Sequence, residues 1–240
     1  MLFVLIPGSG GDAWYWHLVE PELRARGHDV VSVQLPAADE RAGLAEYAQT
    51  VVDAIGDRQD VALVAQSMAG FTAPLVCSRV PVQILVFLNA MIPRPGETPG
   101  EWWANTSQEE ARRAKDARER RDPDAPFDLQ TYFLHDLPPD VVEALMARPE
   151  PRQADRPFST PCTFETWPDV PTHVLTARDD RFFPAEFQRR VARDRLGITP
   201  DEVPGGHLVA LSHPKELAQQ LAAYVGESQI RELSRPGQAQ

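Results

Sequence analysis

Short apolar, β-branched runs with no polar alternation constrain this chain more than any other feature. Residues Leu2–Ile6, 61–65, 83–88 and 172–176 are each about a strand long and draw mainly on Val, Leu and Ile. A strand with one wet face alternates polar and apolar residues, whereas a run apolar throughout is buried on both faces. Between these runs lie helical patterns at 13–26, Leu44–Ile55, 68–79, Ala185–Leu196 and 214–225, with further strands at 29–34 and 198–203. Strand and helix in alternation predict an α/β fold, a mostly parallel, doubly wound sheet with helices on both faces.

The alternation breaks in the middle. Residues 92–170 are rich in Pro, Arg, Asp and Glu and contain no good strand, but they carry helical patterns at 109–121 and 140–147. So long a strandless stretch inside an α/β chain predicts an inserted helical lid rather than a bare loop. The core is then 1–91 with 171–226, the lid 92–170, and 227–240 a polar C-terminal tail expected to fray. The lid aromatics Trp102, Trp103, Tyr132 and Phe133 are candidates for a substrate pocket, and packing of the insert onto the body explains the two tryptophans equally well.

A formal net charge of -11 over 240 residues repels a phosphate backbone and argues against nucleic acid as a partner. Cys77 and Cys162 are the two cysteines, with no spacing that suggests a metal site or a disulfide framework. No apolar run is long enough for a membrane span, and the N-terminus lacks a basic region before its short apolar stretch. A cytoplasmic protein is expected. Its partners are a small-molecule substrate and at most a second copy of the chain, as a homodimer.

The chemistry concentrates at Val61-Ala62-Leu63-Val64-Ala65-Gln66-Ser67-Met68-Ala69-Gly70. A strand that turns straight into a helix at a serine forms a nucleophile elbow, a turn so tight that the residues two before and two after the serine must be small. Here they are Ala65 and Ala69. A serine merely capping the following helix is the plainer alternative. An elbow serine needs an imidazole to take its proton and a carboxylate to orient that imidazole, in the chain order serine, acid, histidine. Of six histidines, His207 stands after a strand end and a glycine pair, which suits it better than His213, placed directly before Pro214 at a helix start. The loop after 172–176 offers both Asp179 and Asp180, and position alone does not choose between them. For the oxyanion, the Met68 N–H opens the elbow helix, and the loop Pro7-Gly8-Ser9-Gly10-Gly11 is suited to bring a second donor.

Together these residues resemble the α/β-hydrolase superfamily, and within it the branch of plant methyl esterases and hydroxynitrile lyases. The opening Leu5-Ile6-Pro7-Gly8-Ser9-Gly10-Gly11-Asp12-Ala13-Trp14-Tyr15-Trp16 is similar to that branch's first loop, with Pro7 where the family has a histidine. The resemblance implies Ser9 as the second oxyanion donor and Asp180 as the acid. The acid is matched by Asp180-Arg181-Phe182-Phe183-Pro184-Ala185-Glu186-Phe187-Gln188, and Gly205-Gly206-His207 matches the histidine segment. It also implies a lid over an acyl pocket, with no metal or organic cofactor. The lyases of the branch carry a threonine and a lysine where this chain has Gly8 and Leu208, two positions beside the pocket. The expectation is therefore a serine hydrolase of small to medium carboxylic esters. A hydroxynitrile-lyase-like C–C lyase and a catalytically weak ligand-binding protein are the alternatives.

Overall fold

The computed structural model describes residues 1–233, with side chains through 227. In chain order the elements are β1 (Leu2–Ile6), α1 (Val19–Ala25), β2 (Asp29–Ser32), α2 (Leu44–Ile55), β3 (Val61–Gln66), α3 (Ala73–Cys77) and β4 (Ile84–Leu88). Then follow α4 (Pro99–Thr106), α5 (Gln108–Arg118), α6 (Pro139–Met146) and α7 (Arg156–Ser159). The described residues close with β5 (Thr172–Ala177), α8 (Ala185–Leu196), β6 (Asp201–Val203), α9 (Val209–Ser212) and α10 (Pro214–Leu233).

The six strands form one sheet in the order β2-β1-β3-β4-β5-β6, and every neighbouring pair is parallel. The apolar runs explain why. Leu2, Val4, Ile6, Leu63 and Phe87 point into a core shared with α2, α3 and α8. Phe3, Leu5, Val64, Val86 and Leu88 point the other way, into a core shared with α1, α9 and α10. With both sheet faces covered, neither can be polar.

Two expected helices are each split, and proline is the cause. The pattern over 13–26 divides into a 3₁₀ turn, Ala13–Trp16, and α1, whose first turn holds Pro21. The pattern over 68–79 divides into the turn Ser67–Phe71 and α3, with Pro74 in its first turn. Proline lacks the N–H that an uninterrupted helix would need there, but it costs little where a new helix starts. Likewise Pro200 trims the expected strand 198–203 to Asp201–Val203. The last helix runs past its expected end at 225 to Leu233, so the first residues of the supposed tail are helical; the remainder lies outside the described residues.

Between β4 and β5 no strand occurs among the described residues. This insert carries α4 to α7 and a single π-helical turn, Gln130–Leu134. The sequence reading misses α4, whose start is set by a capping box: Thr98 Oγ1 accepts from the Glu101 N–H at 3.1 Å, while Glu101 accepts from the Thr98 N–H at 2.9 Å. Among the described residues no helix is long and apolar enough to cross a membrane.

Candidate active site

All strands being parallel, their C-terminal ends share one edge, where open α/β sheets place their sites. Ser67 follows β3 there, at φ 52. A left-handed conformation in a non-glycine residue costs on the order of 1–3 kcal/mol and persists only where its surroundings enforce it. Here Ala65 and Ala69 are buried on either side. The Met91 N–H donates to the Ser67 carbonyl at 2.9 Å. A Cβ on Gly70 would lie 2.2 Å from the Met91 carbonyl oxygen, so only glycine lets the two backbones approach.

His207 and Asp180 meet Ser67 from later strands. His207 Nε2 lies 3.1 Å from Ser67 Oγ, and Nδ1 lies 2.8 Å from Asp180 Oδ2. A carboxylate only accepts, so the ring proton sits on Nδ1 and Nε2 faces the serine with a lone pair. Asp180 is fully buried. Its other oxygen accepts from the Phe182 and Phe183 amides, each at 2.8 Å. Asp179, by contrast, is exposed, and its carboxylate accepts from the Gly205 N–H at 3.3 Å. His213 Nδ1 lies 3.0 Å from Ser212 Oγ and 4.0 Å from Asp136 Oδ2.

The loop after β1 passes directly over the elbow. A Cβ on Gly8 would stand 2.4 Å from Gln66 Oε1 and 2.8 Å from Ser67 Cβ. This brings Gly8 against Ser67, while the Met68 N–H belongs to the first turn after the elbow. The loop is also held from the insert: the Gly10 N–H and Ser9 Oγ donate to Gln153 Oε1 at 2.9 and 3.3 Å.

The other pocket candidates separate. Phe133 stacks on the His207 ring at 5.0 Å and 15°. Leu208 follows His207, half-buried. Trp103 packs on Phe182 and Phe183, whose rings stand edge-on to His207. Trp102, however, is fully buried; its indole donates to the Ile92 carbonyl at 3.0 Å, and it packs on Phe183 and Phe187. Tyr132 turns into the insert, where its hydroxyl donates to the buried Asp116 at 2.8 Å. These two large side chains serve packing, because each has a polar atom that needs a buried partner.

Several residues around the site escape the sequence reading. Asn89, at the C-terminal end of β4, donates from Nδ2 to the Gly206 and His207 carbonyls at 3.3 and 3.2 Å, and accepts from the Ala177 N–H at 2.7 Å. Gln188 donates to Asp180 Oδ2 at 3.4 Å and to the Phe183 carbonyl at 2.7 Å. The strand-end position of Asn89 was the available signal. Burial pushes the Tyr15 phenol well above its ordinary pKa; the Ala210 N–H opposes this and the Asp180 charge adds to it. Tyr15 therefore stays a neutral hydroxyl. Burial raises the thiols of Cys77 and Cys162 to about 12, so neither supplies a thiolate nucleophile at neutral pH. Among the described residues no group of three or more His, Cys, Asp or Glu is arranged to hold a metal ion.

The chain is similar in sequence and shape to known proteins. A probable esterase of rice, PIR7A of Oryza sativa subsp. indica, is 28% identical over 91% of this chain and 94% of its own length. An alpha-hydroxynitrile lyase of Arabidopsis thaliana is 31% identical over 40% of this chain and 42% of its own. The crystal structure of polyneuridine aldehyde esterase superposes with a TM-score of 0.76 at 19% identity, covering 93% of this chain and 98% of that one. The model of the alpha/beta hydrolase family matches residues 3–220, nearly the whole described chain. This protein belongs to the alpha/beta hydrolase family.

Proposed function

We propose that the protein is a serine esterase that cleaves small to medium carboxylic esters through an acyl-Ser67 intermediate. The observation that carries this reading is the continuous relay from Asp180 through His207 to Ser67, at 2.8 and 3.1 Å. Ser67 Oγ attacks the ester carbonyl carbon while His207 Nε2 takes its proton. The carbonyl oxygen becomes an oxyanion, met by the Ser9 and Met68 N–H groups. His207 then gives the proton to the departing alcohol, leaving the acyl group on Ser67. A water attacks that acyl group, His207 takes its proton and returns it to Ser67, and the carboxylic acid leaves. Asp180 holds the imidazole in the productive tautomer throughout.

The insert acts as the lid. Ser67 is 9% exposed and His207 2%, and Phe133 of the insert stacks on the His207 ring. Apolar rings around the histidine suit an ester with an apolar acyl or alcohol part. The lyase alternative lacks support at both positions that would serve it. Leu208 brings no charge, and position 8 has no room for a threonine.

The test is a fluorophosphonate probe followed by peptide mapping, with p-nitrophenyl esters and mandelonitrile assayed in parallel. Ser67 should carry the label, and Ser67→Ala should lose ester turnover by on the order of 10⁴-fold or more while remaining folded. No cyanide should be released above the spontaneous rate. Labelling of another serine with Ser67 unmodified would overturn the nucleophile, and efficient cyanide release would overturn the reaction class.

A further inference from the structure

The insert grips the catalytic histidine loop at its peptide backbone as well as at its ring. Two glycines precede His207. The Gly206 N–H donates to Asp136 Oδ2 at 2.6 Å, a short bond of the charge-assisted kind. Asn89 donates to the carbonyls of Gly206 and His207. The backbone that presents the imidazole is thus bonded by the insert at the Gly205–Gly206 peptide and by the sheet edge at the next two peptides.

The fit around Gly206 is close. A Cβ there would lie 2.7 Å from Asp136 Oδ1 and 2.9 Å from His135 Nε2. The φ of Gly206 is not positive, so the approach of the insert, rather than backbone conformation, requires the glycine. Those same two atoms, 4.0 Å apart, are buried without a hydrogen-bond partner. Burial, with Arg181 nearby, holds the His135 pKa below its ordinary value against the opposing pull of Asp136. Leaving two polar atoms buried and unpaired is costly, and the Gly206 bond is what the arrangement gains. Three residues earlier Phe133 stacks on the His207 ring, so a single four-residue stretch, 133–136, touches both the imidazole and the peptide behind it.

We propose that Asp136 is a positioning residue. By accepting the Gly206 N–H it sets the orientation of the backbone leading into His207 and couples seating of the insert to alignment of Nε2 with Ser67. The proposal rests on the esterase reading above. A general base displaced by about 1 Å loses up to about 10²-fold in rate. Asp136→Ala should therefore lower kcat about ten- to a hundredfold, with KM within about threefold of wild type.

Two further variants separate acceptor position from charge and from folding. Asp136→Asn keeps a carbonyl oxygen in place and drops the charge, so kcat should return to within about threefold of wild type. Asp136→Glu keeps the charge and moves the acceptor by one methylene, so it should stay impaired like Asp136→Ala. Turnover of p-nitrophenyl acetate and the rate of fluorophosphonate labelling should follow the same order, with thermal melts recorded for each variant. An Asn variant as poor as Ala, a Glu variant as good as wild type, or a melting loss with unchanged kcat would each overturn the proposal. Ser67→Ala is assayed alongside. If it turns over like wild type, the esterase reading fails and Asp136 loses its role with it. If it is inert while Asp136→Ala is unaffected, only the assignment of Asp136 falls.

Discussion

A carboxylate that orients an imidazole needs burial and a second set of donors, and adjacent aspartates differ sharply in both. Asp180 is fully buried, with Oδ1 held by two amides and Oδ2 on His207; Asp179 is exposed and holds a glycine N–H. Asp180→Asn places an amide against the ring and favours the wrong tautomer, so ester turnover should fall by on the order of 10⁴-fold. Asp179→Asn keeps an acceptor for Gly205 and should cost no more than about threefold. Steady-state kinetics on a chromogenic ester decide between them, and the reverse order would move the acid by one residue. Spacing in the sequence could not make this choice, since both residues sit in the loop after a strand. What separates them is where the chain turns next, through the backbone donors of Phe182 and Phe183.

At the scale of elements, the elbow was legible because its requirements are local: a buried strand, a serine, and small residues on both sides. Which glycine the turn depends on was not. It follows from Met91, a backbone neighbour far along the chain. A Cβ at position 70 would meet the Met91 carbonyl oxygen at 2.2 Å, and backbone cannot swing aside as a side chain can. Gly70→Ala should therefore destabilise the fold by about 1–3 kcal/mol, the usual cost of overpacking. Gly226→Ala serves as the control. That position in α10 has nothing within 4 Å of an added Cβ, and alanine in a helix gains up to about 1 kcal/mol over glycine. Urea unfolding of the two variants should shift in opposite directions, and an unmoved midpoint for Gly70→Ala would refute the close approach. The strands were readable for the same reason as the elbow. The helix breaks at Pro21 and Pro74 went unread, because the periodic pattern runs straight through both prolines and hides them.

Across the whole molecule, the join between insert and sheet is where sequence says least, because its contacts are polar and distant in the chain. Glu97, early in the insert, and Arg195, on α8, are 4% and 2% exposed at their side chains and form a buried ion pair. Arg195 also donates to the Ile92 carbonyl at 2.6 Å, and Glu97 accepts from Asn105 and from the Arg94 N–H. Burial pushes the Glu97 pKa up, but Arg195, Asn105 and the Arg94 amide outweigh it and hold the carboxyl below its ordinary value. A folded-state pKa below the unfolded one gives stability that is fully present above the unfolded value, about 4.3, and is lost as pH falls through the folded value. Glu97→Gln leaves the Arg195 charge buried without its counter-charge, which commonly costs about 3–5 kcal/mol. Near neutral pH the variant should unfold at clearly lower urea than wild type. The gap should hold from about pH 8 to about pH 6, then narrow below about pH 4 as the wild-type carboxyl takes up its proton and comes to resemble the amide. Because other groups titrate alike in both proteins, the difference between the two curves isolates Glu97. A gap that stays constant down to acid pH would show that the loss comes from packing rather than from the ion pair tying the insert to the body.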